Sequence, residues 1–365
     1  MPKVPATALA LSASMFFTSL TFAQTVPAGY PASYAATIAA AVKEGTLVIY
    51  STTDSKAVEP LIRDFRAEYP GITVEYNDMN STEIYNRFLS EQAAGGASAD
   101  LTWSSAMDLQ MKLVHDGGAL QYKTPEATHI PAWANWKDMA YGTTFEPAAF
   151  VYNKRLVSDA EVPQTHAELA KLVTDKPEKF GKKVTAFDIE KSGVGYMYIT
   201  QDAKANPDFW NFARSVQHAG LRVQSSVGIM LERIASGEQL IGFNLHGSYA
   251  YARAKKDPSI GVVIPKDYVL VMSRVIFISK GARHPNAAKL WLDYTLSKRG
   301  QSVIANQAEL YSLRTDVEGE STAAALARLR PGVLKPIPLN EELLGNLDQK
   351  RRLDFFKQWK EAAVK

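Results

Sequence analysis

The sequence predicts an α/β protein built as two doubly wound lobes joined by two crossover strands. Three observations lead there. Strand-like and helix-like patterns alternate over 46–103. The alternation restarts at residue 183. Two β-like stretches, 148–152 and 268–279, fit inside neither run and read as crossovers between them.

The first run opens with a buried strand over 46–50. Val58, Leu61, Ile62 and Phe65 then fall at helical spacing. Pro60 removes one backbone donor early in that helix, and Tyr69-Pro70-Gly71 stops it. Residues 72–76 alternate as a second strand, 81–93 form a helix with Ile84, Phe88 and Leu89 inward, and 101–103 form a third strand. Strands separated by helices in this order pair in parallel. In the second run, 183–187 and 239–243 are strands, each leading into a helix. The chain is expected to leave lobe one near 148 and return near 270. This gives lobe one as 24–148 plus 270–365, and lobe two as 149–269. Helices over 286–296 and 300–307 lie back on lobe one, and a last helix starts at Glu341.

Composition narrows the function. The chain has 365 residues, 46% hydrophobic and 22% charged, a globular balance. Its net charge of +3 is scattered, so no nucleic-acid face is expected. Lys3, an apolar or small run over 6–22 and Thr21-Phe22-Ala23 read as a signal peptide, residues 1–23, cleaved after Ala23. There is no cysteine, hence no thiolate metal ligand and no lipoprotein acylation site. A free periplasmic protein is expected.

At this point the ordered segments GTLVIYSTTD (45–54), FRAEYPGI (65–72), ADLTWS (99–104), FVYNKRL (150–156), SGVGY (192–196), GEQLIGFN (237–244) and AAKLWL (287–292) resemble the type II periplasmic solute-binding proteins of ABC importers. The resemblance is to the group that includes ferric-iron and hexose-phosphate binders, and covers nearly the whole mature chain. It implies two lobes that close on a ligand and then dock on an inner-membrane ABC permease. Ferric relatives hold the metal with paired tyrosines just after the strand that here ends in Phe243-Asn244. This chain reads Asn244-Leu245-His246-Gly247-Ser248 there, and Tyr249 and Tyr251 come later. The family's early histidine falls near Asp54 and its cleft glutamate near Ser105. Ferric iron favours phenolate and carboxylate oxygens, so a ferric-binding protein is the alternative and not the first reading. No cofactor is expected.

The residues point to a small anionic ligand. A strand end leading into a helix presents free N–H groups and the positive end of the helix dipole. Ser51-Thr52-Thr53, Ser104-Ser105 and Ser192-Gly193 stand at such ends, where open α/β sheets place their ligands. Each also has a local reading. Ser51-x-x-Asp54 fits a capping box, Ser104-Ser105 fits a cap, and Ser192-Gly193 fits a turn. His246 can donate a ring N–H to a ligand. Asn244 belongs to the same strand end. Glu146 and Arg274 flank the crossovers; they either face the ligand or pair with each other. Asp188 either accepts ligand hydroxyls or caps its own turn. Tyr196 packs on a sugar ring or on the core. Arg274 and His246 are expected to matter more than Lys191, whose default is solvent. A sugar phosphate or related organophosphate satisfies both the anion sites and the hydroxyl acceptors.

Two other classes compete. A hydrolase would need an elbow, zinc or Walker motif, and none is present. A sensor subunit of a two-component system would share fold and ligand and differ only in its docking partner. A monomer is expected.

Overall fold

The computed structural model describes residues 26–95, 99–308 and 310–364. The expected signal peptide lies outside them. In chain order the strands are β1 (Thr46–Ser51), β2 (Thr73–Asp78), β3 (Leu101–Ser104), β4 (Asn135–Trp136), β5 (Ala140–Gly142), β6 (Glu146–Asn153), β7 (Val184–Phe187), β8 (Arg222–Gln224), β9 (Ile241–His246), β10 (Ile260–Val263), β11 (Val269–Met272), β12 (Val275–Ile278) and β13 (Leu334–Pro336).

They form two sheets. The first runs β2-β1-β3-β12-β5-β4 and the second β13-β11-β6-β9-β7-β8, with β10 also on β6. Within the first, β2, β1 and β3 are parallel, as strand–helix alternation requires. The helix Ser55–Glu68 buries Val58, Leu61 and Phe65 against this sheet and carries Pro60 inside it. Phe65 also meets Trp291 edge to face, tying in the helix Pro285–Leu296.

The crossovers are sharper than the sequence suggests. The stretch read as one strand over 268–279 is two. β11 pairs with β6 in the second sheet and β12 pairs with β3 in the first, so the chain changes sheets at Ser273-Arg274. The other crossing lies between β5 and β6, at 143–145. A third apolar cluster fills the space between the sheets: Met107 and Met111 from the helix Met107–His115 pack with Met197, Tyr198, Leu245 and Phe277.

The tail departs from the sequence assignment. Residues 334–364, grouped with lobe one from sequence, pack on the second sheet. β13 pairs with β11, and Trp359 and Ala362 of the last turns join Phe209 and Tyr196 in that sheet's core. Phe355, Phe356 and Trp359 form the apolar face of the helix Gln349–Glu361 that packs there.

Candidate ligand-binding cleft

A cavity of about 350 Å³ lies between the two sheets, at the small-molecule end of the usual range of roughly 300–1,000 Å³. What distinguishes it is how its walls are made. Asp54, Asn80, Ser105, Ser192, Ser226 and His246 line it, and each stands at or next to the start of a helix. The helices are Ser55–Glu68, Ser81–Ala93, Met107–His115, Gly193–Ala205, Val227–Ser236 and Gly247–Ala254. Six helix N-termini thus turn toward one space.

Local chemistry decides which of their N–H groups are free. Asn80 and Glu83 form a reciprocal capping box. Ser192 Oγ accepts the Gly195 N–H at 3.2 Å, and Ser226 Oγ accepts the Ile229 N–H at 3.4 Å. These caps satisfy the third helical position. The N–H groups of Gly193, Val194, Val227 and Gly228 have no protein partner among the described residues. The start of Ser55–Glu68 is served differently. The Ser51/Asp54 box, the alternative reading, does not form: the Asp54 N–H goes to the Tyr249 hydroxyl, and Asp78 takes both the Ser55 N–H, at 2.8 Å, and the Ser55 hydroxyl. Ser51 Oγ instead accepts the Thr53 N–H at 3.0 Å. The Asp54 carboxylate is left facing the cleft, where burial raises its pKa against the lowering pull of Arg274.

His246 owes its position to a bulge. β9 carries one extra residue against β6 between Leu245 and Gly242, which switches the faces of the side chains beyond it. Asn244 sits in this irregularity with φ of 57°, a left-handed conformation that Asn tolerates better than most residues. Burial pushes His246 down to about 4, with Glu146 opposing, so the ring is neutral at pH 7. The hydroxyl of Tyr198, whose pKa burial raises far up, lies 3.1 Å from His246 Nδ1. In the neutral ring one nitrogen is a donor and the other an acceptor. Among the described residues no carboxylate hydrogen-bonds the ring, unlike the Ser–His–Asp arrangement.

Beneath the cleft floor, Arg274 Nε meets Glu146 Oε1 at 2.6 Å, both residues fully buried. Thr144 and Ser248 donate to the same carboxylate. A second arm of the guanidinium reaches Thr53 Oγ1 at 3.0 Å and the Thr52 carbonyl. Burial raises Glu146, but the Arg274 charge, His246 and the hydrogen bonds from Arg274 and Ser248 together outweigh it and hold the carboxyl below its ordinary value. Arg274 and Glu146 pair with each other and neither lines the cavity.

Other expected residues also fall elsewhere. Thr53 and Ser104 are buried behind the wall, where Ser104 Oγ accepts the Ala106 N–H at 3.2 Å. Asn244 gives its amide to Asp202. Tyr196 turns away, with its hydroxyl on the Asn346 carbonyl at 2.8 Å and its ring against Phe356. Asp188 accepts the Glu190 N–H at 3.0 Å and caps its own turn. Thr52 and Ser105 do line the cleft and bond each other, the Ser105 N–H donating to Thr52 Oγ1 at 2.9 Å. Gly193 lies at the contact between the halves. A Cβ there would sit 2.5 Å from Leu109 Cδ1 and 3.1 Å from Ser81 Oγ, so any side chain would have to push the Leu109 tip aside.

The sequence reading missed Asp78, Asn80, Ser81, Ser225, Ser226 and Tyr249. The first five stand at strand-to-helix turns, the same signal that found Ser192. Lys191, set aside from sequence, lines the cleft with its side chain 78% exposed. The halves already meet at both lips of the cleft, where Thr82 Oγ1 donates to the Lys191 carbonyl at 3.3 Å and the Asp54 N–H to the Tyr249 hydroxyl at 3.1 Å.

Two α/β lobes facing a polar cavity are the architecture of the type II periplasmic binding proteins. Residues 60–328 match the bacterial extracellular solute-binding protein family, and the chain belongs to that family. It is similar to the substrate binding protein of an ABC transporter from Agrobacterium tumefaciens, with 37% identity, TM-score 0.83, and 87% of this chain and 94% of that one covered. The periplasmic binding protein AfuA from Actinobacillus pleuropneumoniae, solved with fructose-6-phosphate, shares the fold at 18% identity and TM-score 0.68, over 87% and 98% of the two chains. An uncharacterized protein of Haemophilus influenzae is 30% identical over 174 residues, 47% of this chain and 49% of that protein, so the chain spans about half the length of this curated relative.

Proposed function

We propose that the chain is the periplasmic binding component of an ABC importer and captures a phosphorylated sugar or related small organophosphate between its lobes. It then hands this ligand to an inner-membrane permease, acting as a monomer exported by its N-terminal signal peptide. The observation that carries this reading is the meeting of six helix N-termini at one cavity. Neutral N–H groups and hydroxyls can take up a phosphate dianion without a buried counter-charge. Asp54, in the same lining as Val194 and Val227, supplies an acceptor for sugar hydroxyls. The fructose-6-phosphate held by the Actinobacillus protein is one ligand of this class. The donor set fits iron less well: Asp78 is occupied by Ser55, and burial raises the phenol of Tyr249, the one tyrosine in the lining, to about 12.

Isothermal titration of residues 24–365 with a hexose phosphate, the parent hexose, inorganic phosphate and ferric citrate tests the reading. The hexose phosphate is expected to bind at least about tenfold more tightly than inorganic phosphate, and the parent hexose to give no heat. Binding of ferric citrate alone would overturn it.

A further inference from the structure

On the far side of Tyr249 lies a second cavity, of about 390 Å³. Asp54 and Tyr249 wall both spaces, and the hydrogen bond from the Asp54 N–H to the Tyr249 hydroxyl, 3.1 Å long, closes the partition between them. The annex differs from the cleft in charge. Lys56, Arg253 and Lys256 line it, and Asp54 is its only carboxylate. Arg253 reaches Asp257 with one arm, at 3.3 Å, while its buried Nε–H has no partner. A buried donor without an acceptor is costly, and a cavity where cations outnumber carboxylates suits an occupant rich in anionic oxygen.

We propose that this annex receives a second anionic group of the ligand. The captured molecule is then a phosphate ester carrying a second phosphate or a carboxylate at its far end. The proposal rests on the reading that the main cleft takes a phosphate. Turning the Tyr249 ring aside breaks that hydrogen bond, together with its contacts to the Arg274 guanidinium and the His246 ring, and joins the two spaces. Gly228, at the annex wall, offers a clean way to block it, because a Cβ there meets nothing within 4 Å.

Titration of the mature chain with a hexose 6-phosphate and a hexose 1,6-bisphosphate, at fixed ionic strength, tests the proposal. The wild-type chain is expected to prefer the bisphosphate by about tenfold or more. Gly228→Leu, which fills the annex, and the pair Arg253→Gln/Lys256→Gln, which removes its charge, should each bring that ratio to within about twofold. Equal affinities in the wild-type chain, or a preference that survives both changes, would overturn the annex and leave the phosphate cleft standing. If neither compound binds, both readings fall.

Discussion

At the crossovers, Arg274 commits its guanidinium to Glu146, Thr53 and the Thr52 carbonyl, and neither Arg274 nor Glu146 lines the cleft. At the cleft wall, Ser192 and Ser226 cap their helices through the third N–H and leave the first two open. The two regions hold polarity in opposite ways. The crossover site is charged and saturated, whereas the capped helix ends in the wall are uncharged and keep free N–H groups, with Asp54, Asp78 and Lys191 as the charges beside them. A charged residue in a ligand-binding protein is thus a poor guide to the ligand when its counter-ion lies beside it.

The largest effect expected from breaking this contrast is at the pair. Arg274→Ala leaves Glu146 buried and uncompensated, and should cost about 3–5 kcal/mol in urea unfolding. The double change Glu146→Gln/Arg274→Met should recover most of that stability and still bind ligand. If the double variant is as stable as wild type but no longer binds, Arg274 belongs to the ligand site after all.

His246 gives the next effect. Its folded pKa of about 4 lies below its ordinary 6.5, so the unfolded chain binds the extra proton first as pH falls. Stability from the neutral ring is full above about pH 6.5 and is lost toward pH 4. Relative to His246→Asn, the wild-type chain should lose up to about 3 kcal/mol across that window. Comparing the two chains cancels the opposite trend from Asp202, which burial raises to about 6. Parallel stability curves would contradict the buried, neutral assignment.

Smaller effects sharpen the wall. Ser192→Ala removes a helix cap and should cost about 1 kcal/mol in stability, with a measurable drop in affinity from the loosened N–H pair. Lys191→Ala, at an exposed lip, should change affinity only a few-fold and mostly through the association rate, an effect that high salt abolishes. A salt-independent loss at Lys191 would place it in direct contact with the ligand.

The order of strands and helices was legible where a buried strand is followed by an amphipathic helix, as Val58, Leu61 and Phe65 follow β1. The direction of single side chains was less so. Glu146 and Arg274 are 128 residues apart, and nothing local shows that they meet. Residues 194–200 are all buried, so periodicity could not tell that Tyr196 faces the C-terminal helix while Tyr198 faces His246. Asn80 and Ser226 were overlooked although they obey the rule that found Ser192. The strand before Asn80 was cut short at Tyr76, and the one before Ser226 has only three residues.

The central claim is that helix-end N–H groups, and not Arg274, hold the ligand's anion. Amide and guanidinium proton resonances of the isotope-labelled mature chain, followed during titration with a hexose phosphate, test it most directly. The account expects the largest downfield shifts at the Val194 and Val227 amides, which line the cleft, with Arg274 Nε–H unmoved. A shifted Arg274 signal over silent helix-end amides would contradict it.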